Sequence, residues 1–308
     1  MSIIPRLPLS RSEYLRTFEA EIDVLGEHLI CVRGRLEEYR VTLEHEWFLR
    51  TPEYEVVAAS ARQSRGDEDH VSPELCNRYP KIKGVRIGQG FSKRIKEALG
   101  QDLPGHEEHL LLAIEMARVG QQVFQFSPEF LSRFSLKPEM RSTDALLTWE
   151  MDRAYLAGLP NSCYTYLDAN AEQFREREIV SHVGPDITQP KPGTQRAFWR
   201  KKHVSIRQLP GEGKTIYVCE SGMQDSLHDI VVRFNVSSDG TISDASSVAT
   251  RLPYTVLCEH PQTRVGALNG MQVTNKYVAQ LAETIGGSNG CTHMFDLSID
   301  CLRLFLFN

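Results

Sequence analysis

The feature that most restricts how this chain can fold is that its two halves read alike. In residues 74–119, Leu75-Cys76 is followed by Gly84, eight residues after the Cys, and by Gly88 four residues later. In residues 256–304, Leu257-Cys258 is followed by Gly266 and Gly270 at the same spacings. An amphipathic stretch comes next in both, and then Gly105 or Gly290 opens a His-bearing segment. Upstream, His45-Glu46 precedes the apolar run Trp47-Phe48-Leu49, and His228-Asp229 precedes Ile230-Val231-Val232. Arg50 and Arg233 stand at one common distance after those histidines. Matches that recur in the same order imply a tandem duplication. The length of 308 residues suits two domains of roughly 150 residues each.

Periodicity gives each copy a coarse structure. In the second, 202–207, 215–220, 229–236 and 241–249 read as strands, with Ser237-Ser238-Asp239-Gly240 as the turn between the last two. Val273, Tyr277, Val278, Leu281 and Ile285 form a helical stripe, Gly286-Gly287 stops it, and 291–304 reads as the next helix. The first copy yields strands at 28–36, 41–49 and 54–61, and helices at 91–99 and 107–124, with a further helix at 144–157. The expected class is α+β, a tandem duplication of an antiparallel sheet packed with C-terminal helices, the copies related by a pseudo-twofold. The Pro-rich run at 185–193 marks a boundary. Residues 1–184 form the first copy with a tail segment, 185–199 the linker and 200–308 the second copy. The charged loop at 65–69 has no counterpart in the second copy.

Composition narrows the partners. With 35 basic and 40 acidic residues the net charge is -5, which gives no drive toward nucleic acid or an anionic membrane. No apolar run approaches the roughly 20 residues of a membrane helix. The first residues lack the apolar core of a signal peptide, so a cytoplasmic location is expected. Seven cysteines without regular spacing suit reduced thiols. A small-molecule substrate is the expected partner, with no nucleic acid and no membrane; a homodimer is left open.

The second copy concentrates the chemistry in His228, Asp229, Cys258, Cys291 and His293. Neighbours on a strand point to opposite faces, so only one of His228 and Asp229 faces the helices. An inward His228 near His293 would pair two imidazoles that titrate around neutrality, with Asp229 or Tyr254 orienting or protonating. His45, Glu46 and His109 would repeat that arrangement in the first copy. A second reading uses Cys258, Cys291 and His293 as metal ligands. A thiol at a helix start has its pKa lowered, and thiolate with imidazole suits zinc or iron. The plainer alternative is that the two cysteines are small buried hydrophobes, His293 caps a helix, His228 bonds a backbone carbonyl and Tyr254 packs in the core. The first copy has no Cys opposite Cys291. Residues 84–90 (GVRIGQG) read as a tight turn without the Lys-Ser/Thr of a P-loop. The basic stretch 196–203 (RAFWRKKH) reads as solvated strand edge.

Residues 200–308 resemble the bacterial domain-of-unknown-function family 2889. The resemblance rests on His228-Asp229 at a strand start, Ile242-Ser243-Asp244-Ala245, the span from Pro253 to Cys258, and Gly290-Cys291-Thr292-His293. The first copy is similar more loosely, and the family's tail appears there as Pro160-Asn161-Ser162-Cys163-Tyr164. Each copy thus lacks something the other keeps, which implies one specialised site and one degenerate site. The resemblance places the chain alongside aromatic and acyl-CoA catabolism. It implies a small-molecule catabolic enzyme, a carbon–carbon lyase or isomerase acting on an aromatic metabolite by His and carboxylate chemistry, with no cofactor. Two alternatives stay open: a non-catalytic metal-binding or scaffold module holding zinc or iron on Cys258, Cys291 and His293, and a metal-dependent hydrolase.

Overall fold

The structure is a computed structural model that describes residues 3–5, 12–66, 72–101, 103–135, 144–184, 187, 189–210 and 213–307. In chain order its first elements are β1 (Ile3–Pro5), β2 (Glu13–Gly26), β3 (Leu29–Glu38), β4 (Val41–Arg50) and β5 (Glu55–Gly66). Helices α1 (Pro73–Arg78), α2 (Phe91–Leu99), α3 (His106–Gly120), α4 (Pro128–Ser132), α5 (Ala145–Tyr155) and α6 (Ala171–Glu176) follow. Then come β6 (Phe198–Pro210), β7 (Thr215–Asp225), β8 (Asp229–Ser237), β9 (Ile242–Arg251), α7 (Tyr277–Thr284), α8 (Thr292–Leu302) and β10 (Phe305–Phe307). The chain divides into two compact units. One, here the β2–β5 unit, is Arg16–Arg141 with Gly184–Lys201; the other, the β6–β9 unit, is Met1–Leu15, Ser142–Val183 and Lys202–Asn308.

In the β2–β5 unit the strands lie in the order β5-β4-β3-β2, each pair antiparallel. Alternation explains the sheet. Phe18, Ala20, Ile22 and Val24 of β2 and Leu43, His45, Trp47 and Leu49 of β4 are buried, and the residues between them are not. Helices cover that buried side with Phe91, Ile95 and Leu99 of α2 and Leu112, Met116 and Val119 of α3, the spacing of one helical face. Gly34 on β3 lets α3 approach, because a Cβ there would stand 2.7 Å from Met116 Cγ.

The β6–β9 unit has a sheet and helices of its own. Its strands lie β6-β7-β8-β9, with β7–β8 and β8–β9 antiparallel. Ile230, Val232, Phe234 and Val236 of β8 are buried, and Met294, Leu297, Cys301 and Leu302 of α8 are buried with them. β1 pairs with β10 in a separate two-stranded sheet.

The α+β class with antiparallel sheets is as expected, and three details differ. First, β2 was not anticipated, because the acids between its buried residues dilute its hydropathy although the alternation itself is plain. Second, the stretch 196–203 is not solvated edge: Arg200 and Lys202 are 2% and 7% exposed. Lys202 Nζ reaches Asp300 Oδ2 on α8 at 2.5 Å, so β6 turns its cation inward to a buried carboxylate. Third, the helix and tail at 144–183 group with the β6–β9 unit rather than with the first copy. Residues 67–69 of the charged loop, and 185, 186 and 188 of the linker, lie outside the described residues.

α5 begins at Asp144, whose side chain accepts the Leu147 N–H at 2.7 Å. Asp144→Ala is expected to destabilise by about 1 kcal/mol, the usual worth of such a cap. Hydrogen exchange read at Leu147 and Thr148 checks this: the loss of protection should concentrate there.

Candidate acid–base site

The tail segment is built against the start of α8. Tyr164 N–H donates to the Gly290 carbonyl at 2.9 Å, and Thr292 Oγ1 reaches the Ser162 carbonyl at 3.4 Å. Tyr164 also stacks on His260, with ring centroids 4.3 Å apart. Position 290 must be Gly, since a Cβ there would run into the Ile285 carbonyl. The tail, expected to belong with residues 1–184, therefore packs within the β6–β9 unit.

What it brings is Asp152. This residue lies on the buried face of α5 and is 2% exposed. Tyr166 Oη and Tyr254 Oη both donate to its Oδ2, at 2.9 and 3.0 Å. Its Oδ1 is buried and has no hydrogen-bond partner among the described residues. Burial raises the carboxyl to about 7, against the lowering effect of the two tyrosine hydrogen bonds. Tyr254 and Tyr166 are themselves held well above their usual range, first by burial and then by the Asp152 charge. Phe174 and Tyr166 meet Tyr254 edge-on, at 5.5 and 6.1 Å between centroids. Asp152 was not anticipated from sequence. Its signal was an acid placed three residues after Trp149 and four after Thr148, on the buried stripe of the helix.

His228 sits just before β8, 4% exposed, and its ring lies 4.1 Å from that of His293 in the first turn of α8. The expected pairing of these two imidazoles is what the structure shows. The carboxylate beside them is different from the one expected. Asp225, fully buried at the end of β7, takes His228 Nδ1 at 3.0 Å and accepts the backbone N–H groups of Leu227 and His228 at 2.7 and 2.6 Å. A carboxylate acceptor places the proton on Nδ1 and leaves Nε2 with a lone pair. Asp229 instead faces Gln224 Nε2 at 3.3 Å, as strand alternation requires. Arg251 closes the turn, its guanidinium donating to the Asp225 carbonyl at 2.6 Å and the His228 carbonyl at 3.4 Å. Three residues on, the chain reaches Tyr254. The two groups of residues thus share one end of the β6–β9 sheet.

All seven cysteines are free thiols. Cys163 lies close enough to raise the pKa of both Cys258 and Cys291, and Cys291 close enough to raise that of Cys258. The lowered pKa expected at Cys291 is not found. Backbone N–H groups of His293 and Met294 do act to lower it, but burial dominates and pushes both Cys291 and Cys258 up to about 12. Cys258 Sγ rests 3.1 Å from Thr165 Oγ1. Among the described residues, no group of three or more His, Cys, Asp or Glu is arranged to hold a metal ion.

The β2–β5 unit brings His45 and His109 together, with His45 Nε2 and His109 Nδ1 at 3.0 Å. Tyr79 Oη lies 3.0 Å from His45 Nδ1 and 3.4 Å from the His109 carbonyl. His109 Nε2 is buried and has no hydrogen-bond partner among the described residues. These imidazoles do not titrate around neutrality. Burial, then the neighbouring His109, holds His45 well below its usual value; burial, then His106, lowers His109 to about 4. Glu46 is on the opposite face of the sheet and takes no part in this cluster.

Residues 214–303, from β7 into the turn after α8, match the family described as "Protein of unknown function (DUF2889)". The match covers one copy, under a third of the chain; it contains His228, Tyr254, Cys258 and His293 but not Asp152. No curated protein and no solved structure matches the chain. Among the described residues no helix is long and apolar enough to cross a membrane.

Proposed function

We propose that the β6–β9 unit is a small-molecule enzyme working by general acid–base catalysis, with His228 as base and Asp152 as the group that holds and returns a proton. Asp152 carries this reading. A buried carboxyl with both tyrosines on one oxygen and nothing on the other is destabilising for a fold and useful to a reaction. Asp225 supports it by fixing the tautomer that leaves His228 Nε2 basic. The reaction class is a cofactor-independent carbon–carbon lyase or isomerase, and the ring-rich surroundings of Tyr254 suit an aromatic metabolite. In the lyase, the base takes a hydroxyl proton, the adjacent carbon–carbon bond breaks to release an aldehyde, and the acid returns a proton to the carbon left behind.

The test starts from a panel of aromatic acids and acyl thioesters screened by thermal shift. Hits are then followed for product formation. His228→Ala and His293→Ala should each abolish turnover while the circular dichroism spectrum stays that of the native chain. Full activity in both variants would remove the proposal.

A further inference from the structure

The β2–β5 unit carries a cavity of about 560 Å³ on its sheet, within the size range of small-molecule sites. Its floor is the face turned away from the helices, where register sets two rows of side chains across four strands. The first row is Glu19, Arg35, Glu44 and Arg62, strictly alternating in charge. Arg35 Nη1 meets Glu44 Oε1 at 2.8 Å, Arg62 Nε donates to Glu44 Oε2 at 3.0 Å, and Lys201 Nζ meets Glu19 at 2.8 Å. The second row is Glu21, Arg33, Glu46 and Ser60. Here Ser60 stands where the first row has an arginine.

That one position changes the row. Arg33 turns to Asp23 and to Glu21, with Nε 3.6 Å from Glu21, and Arg196 approaches Glu21 at 3.9 Å. Among the described residues the Glu46 side chain has no ion pair or hydrogen bond, and the side chain of its register partner Ser60 has no hydrogen bond either. Among the described residues it is the one charged side chain in this lining without a partner. Glu46 is half-buried in this lining and offers its carboxylate to a cation that enters the cavity. Trp199, half-buried in the same lining, supplies the aromatic surface of the cavity.

The geometry points to a binding site for a small primary amine, its ammonium donating to the Glu46 carboxylate and Ser60 Oγ and its apolar body lying in the cavity with Trp199. An ammonium has three donors and no acceptor, which fits two adjacent acceptors better than any neutral group does. The site is separate from the acid–base residues of the β6–β9 unit and does not depend on their role.

Phenethylamine and its neutral counterpart phenethyl alcohol serve as probes, with binding read by calorimetry on the full chain. Wild type should bind the amine and not the alcohol. Glu46→Gln should weaken the amine by about tenfold, the size of one charge-assisted hydrogen bond. Ser60→Arg completes the second row in the pattern of the first, so it should abolish amine binding and raise the melting temperature. No amine binding by wild type, equal binding by Glu46→Gln, or undiminished binding by a folded Ser60→Arg would each overturn the proposal.

Discussion

Replacing Asp152 by asparagine is expected to make the β6–β9 unit more stable at about pH 8 while lowering turnover by about 10²- to 10⁴-fold. The stability effect follows from the sign of the carboxyl's shift. Unfolded, the group ionises near 3.8; folded, at about 7. Between those values the native state holds a proton that the unfolded chain releases, so stability falls as pH rises and the loss is complete above about 7. About three units of difference amount to about 4 kcal/mol. Asparagine has no proton to lose and escapes that penalty, but its amide leaves a donor where Oδ1 is bare, which costs about 1–3 kcal/mol. The net expectation is a gain of about 2 kcal/mol at about pH 8 and a loss of similar size at about pH 4. Urea titrations at the two pH values decide it. A variant less stable than wild type at both would show that Asp152 is not held protonated.

Acidification from about pH 7 to about pH 4 is expected to remove about 3 kcal/mol or more from the β2–β5 unit. His109 in the native state takes a proton only at about 4, against 6.5 when unfolded. As pH falls through that window the unfolded chain binds a proton that the native state refuses. Stability is therefore whole above about 6.5 and lost by about 4. His45, lowered further in the same core, acts in the same direction. The groups that face this pair are Tyr79 and His106. His109→Asn keeps a partner for His45 Nε2 and carries no titrating ring, so the share of the pH dependence that His109 contributes should disappear while that of His45 remains. Fluorescence of Trp47 and Trp199 in a Trp149→Phe background reports this unit alone. A His109 imidazole titrating near its ordinary value in a histidine NMR experiment would contradict the expectation.

Much of the fold was legible because burial writes a period into the chain. α2 was read with its observed bounds, since Phe91, Ile95 and Leu99 repeat at helical spacing. The β8–β9 hairpin was legible from Ser238-Asp239-Gly240, the turn that separates Ser237 from Ile242. Of the site, the approach of His228 to His293 and of His45 to His109 was foreseen from their matching places in the two halves. The other partners, Asp225 on His228 and Tyr79 on His45, were not. Adjacency in sequence suggested Asp229 and Glu46, but strand alternation turns both away, and Asp225 is reached only through the β7–β8 turn.

By itself the sequence determined the α+β class, elements such as α2 and the β8–β9 hairpin, and which histidines would be buried near one another. These follow from periodicity and turn chemistry, which act over a few residues. Only the tertiary structure decided which unit owns the segment carrying Asp152, that Cys291 is raised rather than lowered, and that Glu46 is the charged side chain of the cavity lining without a counter-charge among the described residues. The reason is the same in each case. Proton affinity and charge compensation depend on what solvent is excluded and on which side chains meet across more than a hundred residues, as Asp152 meets Tyr254. No local pattern records that.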